Sequence, residues 1–133
     1  VKTLMTPQEF AARAVGLPWA KWRSDWQAMD CYGLVILWFR EVLGIEMGEV
    51  PHTDIATGLA NSPEWEECDS SVGPVMWMAW VGGRPAHCGV FLDQRRAIHA
   101  EGSEVQPGSV RITRVQALQR TYGHIRLYRY TPC

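Results

Sequence analysis

The order of apolar and polar positions divides the chain into a helical first part and a strand-rich second part. Thr6-Pro7-Gln8-Glu9 has the residue order of a helix start, with Thr6 as cap, Pro7 at the first helical position and Glu9 closing a capping box. The helix it opens is expected to pass through Phe10, Ala14 and Val15 and to stop at Gly16. Residues 16–27 (GLPWAKWRSDWQ) follow neither a helical nor a strand period. Their three tryptophans imply a loop folded over a core or lining a site. From Cys31 to Leu43, the residues Leu34, Val35, Trp38 and Val42 make the apolar stripe of an amphipathic helix, ended by Gly44. Residues 48–71 hold Pro51, Gly58 and Pro63, which predicts a loop with a short helix over Ile55–Ala60.

From Val72 the period changes. Val75–Val81 (VMWMAWV) is apolar and bounded by Gly-Pro and Gly-Gly, as a buried strand is. His87–Leu92 predicts a second strand, Ala97–Ala100 a third and Ile125–Tyr130 a fourth, with a short helix over Thr113–Arg120. Helices first and an antiparallel sheet second define an α+β fold. No repeat or linker interrupts it, so residues 1–133 are read as one domain.

Composition narrows the function classes. At 47% hydrophobic residues the 133-residue chain has material for a real core, and seven tryptophans exceed what a core of that size uses. Some of them are candidates to line a groove, where rings stack on a ligand's apolar face. The formal net charge of −1 gives no basic surface for nucleic acid or an anionic membrane. Cys31, Cys68, Cys88 and Cys133 form no C-x-x-C pair and no zinc-finger spacing, and are read as reduced thiols; no cofactor is called for. The N-terminus shows no basic region followed by an apolar run, and no stretch is long enough to span a bilayer. A role outside the cytoplasm would therefore require carriage by something else.

The candidate chemistry lies at Asp30-Cys31. Asp30 stands where a helix cap belongs, which puts Cys31 in the first turn at the positive end of the helix dipole, where a thiol's pKa falls. Alone, such a cysteine reads as a small buried hydrophobe. Two histidines change that reading, provided the register allows them to meet. An odd-length hairpin loop puts His99 opposite Gly89, on the face of His87, whereas an even one puts the two rings on opposite faces. In the odd register one imidazole can take the thiol proton while the other orients it, with Gly89 leaving room between them. His87, at the strand end, is the better base and His99 the better orienter. A metal site built from Cys31, His87, Cys88 and His99 is the rival reading, but alternation separates adjacent His87 and Cys88, and Cys88 is read as core packing.

Asp30-Cys31-Tyr32-Gly33-Leu34-Val35, His87-Cys88-Gly89-Val90-Phe91-Leu92 and Ile98-His99-Ala100, in that order, resemble the motifs of the NlpC/P60 family of cell-wall cysteine peptidases, a papain-like group. Gly16-Leu17-Pro18-Trp19, Gly73-Pro74-Val75-Met76 and Ile125-Arg126-Leu127-Tyr128-Arg129 resemble further segments of it. The sequence departs from the pattern at Tyr32, where the family has a small Ser, at Trp19, where it often has Tyr, and at Pro74, where it has Asp. The resemblance implies a papain-like fold with N-terminal helices packed on the sheet. It also implies hydrolysis of a peptide bond in the peptidoglycan stem, typically between D-glutamate and the diamino acid. Cys31 would be the nucleophile, with its backbone amide in the oxyanion site, His87 the base and His99 the orienter. Trp19, Trp22, Trp26 and Tyr32 are candidates for the substrate groove.

Small members of the family are encoded with phage tail genes and gene-transfer particles. The resemblance therefore extends to carriage in a virion tail, with other tail-tip proteins as partners, or to delivery to the periplasm by a particle or secretion system. Two alternatives follow from the same residues: an assembly role in a tail tip without catalysis, and a papain-like amidase or acyltransferase serving as an effector or lysis enzyme. An activated Cys31 predicts faster alkylation by iodoacetamide than Cys68 or Cys133.

Overall fold

The capping box forms as its residues dictate. In the computed structural model, which describes residues 3–132, Thr6 Oγ1 accepts from the Glu9 amide at 3.1 Å and Glu9 Oε1 from the Thr6 amide at 3.0 Å. Helix α1 covers Pro7–Ala14 and buries Phe10, Ala11 and Ala14. Helix α2 covers Cys31–Trp38 and continues as a π-helical turn over Phe39–Leu43, closed by Gly44 in the left-handed region at φ 72°. The expected amphipathic stripe gives way to something more apolar, because every residue from Gly33 to Trp38 is buried. CYGLVILW has no polar face to offer water. Each fully buried Leu or Ile of this helix contributes about 1.5–3 kcal/mol. The short helix α3, Ile55–Ala60, forms where expected and is capped by Asp54.

Six strands follow, against four expected: β1 Trp65–Cys68, β2 Val75–Val81, β3 Arg84–Phe91, β4 Arg96–Glu101, β5 Ser109–Arg114 and β6 His124–Tyr130. They form one antiparallel sheet in the order β1-β6-β2-β3-β4-β5. The helix expected over Thr113–Arg120 is α4, Val115–Tyr122, and its first expected turn belongs to β5. β3 begins three residues before His87 because the Gly82-Gly83 turn extends the hairpin with β2.

Alternation sorts the sheet's side chains onto two faces. Met76, Met78, Cys88, Val90, Ile98 and Ala100 pack with α1 and α2 on one side, while Trp77, Ala79 and Ala97 pack with Leu118 of α4 on the other. β3 and β4 pair only at Val90↔Ile98 and Phe91↔Ala97. This register sets Gly89 opposite His99, the odd-loop alternative, and puts His87 and His99 on the α4 face.

Candidate active site

Asp30 builds the front of α2. Its Oδ1 accepts from the Gly33 amide at 2.7 Å and its Oδ2 from the Trp22 amide at 2.7 Å, so one carboxylate both caps the helix and ties down the Trp-rich loop. Gly33 makes this seat possible. A Cβ there would run into the Arg23 carbonyl oxygen, so the glycine admits the loop backbone rather than the sheet. That carbonyl also accepts from the Asp30 amide at 3.1 Å, and Ser24 Oγ donates to the Gly33 carbonyl at 2.6 Å.

Cys31 is half-buried at the tip of α2 and lines a cavity of about 430 Å³. Its thiol faces two partners on β3, the Cys88 thiol and the His87 ring, both hydrogen-bonding to it. The Cys88 hydrogen bond is the larger influence, and with the His87 hydrogen bond and charge it holds the Cys31 pKa well below the ordinary thiol value. Burial pushes the Cys88 thiol the other way, helped by the facing Cys31 sulfur. Cys88 is fully buried in the core, as expected, but core packing is not its whole role. Alternation does point Cys88 and His87 to opposite faces. Cys31 meets both because it approaches β3 at its open end, before the pairing with β4 begins.

The imidazoles form a line. His87 Nε2 lies 2.7 Å from His99 Nδ1, and His99 Nε2 lies 2.9 Å from Thr113 Oγ1. With Nε2 so engaged, Nδ1 is the His87 nitrogen left for the thiol. His99 is 1% exposed. Burial, the charge on His87 and Arg111 together push its pKa down to about 3, so it stays neutral, accepting at Nδ1 and donating from Nε2 to Thr113. Trp77 stands edge-on to both rings at 5.4 Å and donates its indole N–H to the Val90 carbonyl at 3.1 Å. Gly89 was expected to leave room between the histidines. The room is taken by Trp77, whose ring atoms lie 2.5 and 2.8 Å from where a Cβ would be.

Trp19, Trp22 and Tyr32 line the cavity with residues of α3 and the start of β3. Trp22 holds a left-handed backbone at φ 62° and stacks on His52 at 4.4 Å, with the Lys21 ammonium 4.2 Å from its ring. Trp26 corrects the expectation made for it: the ring packs on Phe10 at 5.3 Å under the Arg13 guanidinium and donates to Glu41 at 3.3 Å, away from the cavity. The loop alternates between wall and core, which composition alone does not resolve. Tyr32 is anchored, its hydroxyl accepting from Trp65 Nε1 at 3.0 Å. Burial pushes its pKa up to about 12, so the phenol stays neutral and forms a fixed wall where the family's small serine would leave space.

Asp30 and His99 make opposing contributions to acid stability. Burial raises the Asp30 pKa from 3.8 to about 6, so the carboxyl that caps the helix also titrates near neutrality. The folded chain then binds the extra proton, and the stability this site contributes below pH 3.8 is lost as pH rises towards 6. The pKa of His99 falls from 6.5 to about 3, so its contribution is full above 6.5 and lost as pH falls towards 3. Asp30→Asn removes one slope. Urea midpoints of the variant are expected to fall on acidification from about pH 6 to 4 more steeply than those of the wild type. Parallel profiles would show that Asp30 does not titrate in this window.

Cys31, Cys68 and Cys88 carry no disulfide; Cys133 lies outside the described residues. Cys68, on edge strand β1, donates weakly to the Ser70 carbonyl at 3.5 Å and has no imidazole partner. Iodoacetamide at pH 7 is expected to label Cys31 at least about tenfold faster than Cys68, read by peptide mass spectrometry. Equal labelling would mean an unactivated thiol. Among the described residues no three His, Cys, Asp or Glu side chains are placed to hold a metal ion, and no helix is long and apolar enough to cross a membrane.

Thr113 and Trp77 are site residues that the sequence did not single out, and Cys88 was read as core packing alone. For Thr113 a signal existed: Val110 and Ile112 alternate with polar residues as in a strand, and that strand puts Thr113 diagonal to His99.

A thiol at the tip of a buried helix, facing a histidine pair on an antiparallel sheet, is an arrangement built for nucleophilic catalysis. The profile of the NlpC/P60 family matches residues 18–128. The chain belongs to that family of cysteine peptidases. Among solved structures, its fold is similar to the NlpC/P60 domain of the peptidoglycan hydrolase SagA, with a TM-score of 0.53 and 20% identity over 85% of this chain and 92% of that one. No curated protein gives a significant match.

Proposed function

We propose that the chain hydrolyses a peptide bond in the stem peptides of peptidoglycan, between D-glutamate and the diamino acid. The observation that carries this reading is the continuous line from Cys31 through His87 and His99 to Thr113, with its thiol end opening on the cavity. His87 Nδ1 takes the thiol proton, and the Cys31 thiolate attacks the carbonyl carbon. The developing oxyanion sits at the positive end of α2, where the Cys31 amide donates to it. Imidazolium His87 then protonates the leaving amine, and as a neutral base it activates the water that releases the acyl group. Throughout, its Nε2–H donates to neutral His99, which fixes the ring's orientation without competing for the proton. The choice of bond rests on the family's motifs.

We further propose, from the resemblance to small members of the family, a setting in a phage tail or related particle, alongside other tail-tip proteins, from which the enzyme reaches the wall. Digestion of purified peptidoglycan followed by mass spectrometry of the released muropeptides tests the reaction. New amino groups on the diamino acid, with glutamate as the new C-terminus, are the expected products. Release of whole stem peptides from the glycan, or transfer of the acyl group to an added amine in place of hydrolysis, would replace this reading with an amidase or acyltransferase.

A further inference from the structure

The mechanism leaves Cys88 unused, although its thiol shares a hydrogen bond with the proposed nucleophile. We propose that Cys31 and Cys88 are a peroxide-responsive pair, in which Cys88 resolves an oxidised Cys31 into a reversible disulfide. The two sulfurs are placed asymmetrically. Cys31 lines the cavity, where a molecule as small as hydrogen peroxide reaches it, whereas Cys88 is 0% exposed and cannot be attacked first. Their protonation states are asymmetric in the same sense, because Cys31 favours the thiolate and Cys88 the thiol. Susceptibility to peroxide follows thiolate character and exposure, so Cys31 is the sulfur that reacts.

The steps balance. The Cys31 thiolate attacks one peroxide oxygen and breaks the O–O bond, giving Cys31 sulfenic acid and hydroxide. Cys31 is then neutral, and its charge no longer adds to the burial that holds Cys88 as the thiol. The Cys88 sulfur attacks the Cys31 sulfur and expels hydroxide, which leaves as water with the Cys88 proton. In sum, two thiols lose two electrons to form one disulfide, and one hydrogen peroxide becomes two waters. Cys68 cannot take the place of Cys88 within one molecule. It lies on β1, three strands from β3, or about 14 Å across the sheet. The outcome is protective as well as inhibitory, since a disulfide keeps the nucleophile from irreversible oxidation to the sulfinic acid.

The test treats the reduced wild-type chain with a small excess of hydrogen peroxide, blocks residual thiols with iodoacetamide, and maps the peptides by mass spectrometry. The expected result is a Cys31–Cys88 disulfide, a loss of about 2 Da in the intact protein, and Cys68 still alkylated. Cys31 as sulfinic acid with Cys88 still a free thiol would overturn the proposal, as would a disulfide to Cys68 or Cys133. Cys88→Val keeps an apolar side chain of similar size in the core. It is expected to convert Cys31 to sulfinic acid at least about tenfold more than the wild type under the same exposure. Equal over-oxidation in the two proteins would count against a resolving role. The disulfide map does not depend on hydrolysis: if the reduced enzyme fails to cut peptidoglycan, the proposed function fails while this proposal is still decided by the peptides.

Discussion

Cys31→Ala is expected to lower peptidoglycan hydrolysis about 10⁴-fold or more while leaving the thermal midpoint within a few degrees of the wild type. The size follows from the division of labour in the site. His87 has no thiol proton to accept once the sulfur is gone, and the helix tip faces a carbonyl that nothing attacks. Removing the nucleophile of such a set costs nearly as much as removing the whole set. Folding should change little, because the thiol is small and Cys31 is only partly buried, beside the cavity. Turbidity loss of a cell-wall suspension measures the first quantity and calorimetry the second. Retention of more than a tenth of the activity would remove Cys31 from the mechanism. If the protein belongs to a tail, particles carrying the variant should assemble and yet clear walls poorly. Normal clearing would favour an assembly role.

The second large effect is on the fold. Gly33→Ala is expected to destabilise the chain by about 3 kcal/mol or more, beyond the usual range for overpacking. The added methyl would meet backbone, the Arg23 carbonyl, which has no side-chain rotation with which to yield. Moving that carbonyl breaks its bond from the Asp30 amide, and Asp30 in turn holds the Trp22 amide. The helix cap, the loop wall and the position of Cys31 therefore shift together. Urea unfolding followed by tryptophan fluorescence reads the loss. A midpoint unchanged from the wild type would show that the loop moves aside freely.

Much of this site is legible in the sequence, and the reasons are local. Asp30 and Cys31 are adjacent in the chain, so a cap rule places them. His87 and His99 belong to one hairpin, so parity reduces their relation to two choices. The Cys31–Cys88 contact was not legible, because strand parity says only that Cys88 points away from His87 and says nothing of a helix tip that meets both. Thr113 was missed with its strand, since β5 runs directly into α4 without a breaking residue and the boundary was drawn in the wrong place. β1 was hidden for a different reason. Its WEEC sequence exposes both glutamates at the sheet edge, and pairing with β6 rather than any internal pattern makes it a strand. Trp26 shows the limit of composition, because a tryptophan in a Trp-rich loop can face the core as readily as the groove.

The ladder between β3 and β4 has only two paired positions, and the histidines stand on opposite sides of it, His87 on β3 and His99 on β4. The sheet is thus two plates joined by a short seam, with the Trp77 indole wedged against both rings. Slow opening of that seam would part the imidazoles without unfolding either plate. Amide protons of Val90 and Ile98, the pair whose N–H groups point across the seam, should then exchange with solvent in step with one another. The lifetime of the closed seam sets an upper limit on how long the base stays aligned for each turnover.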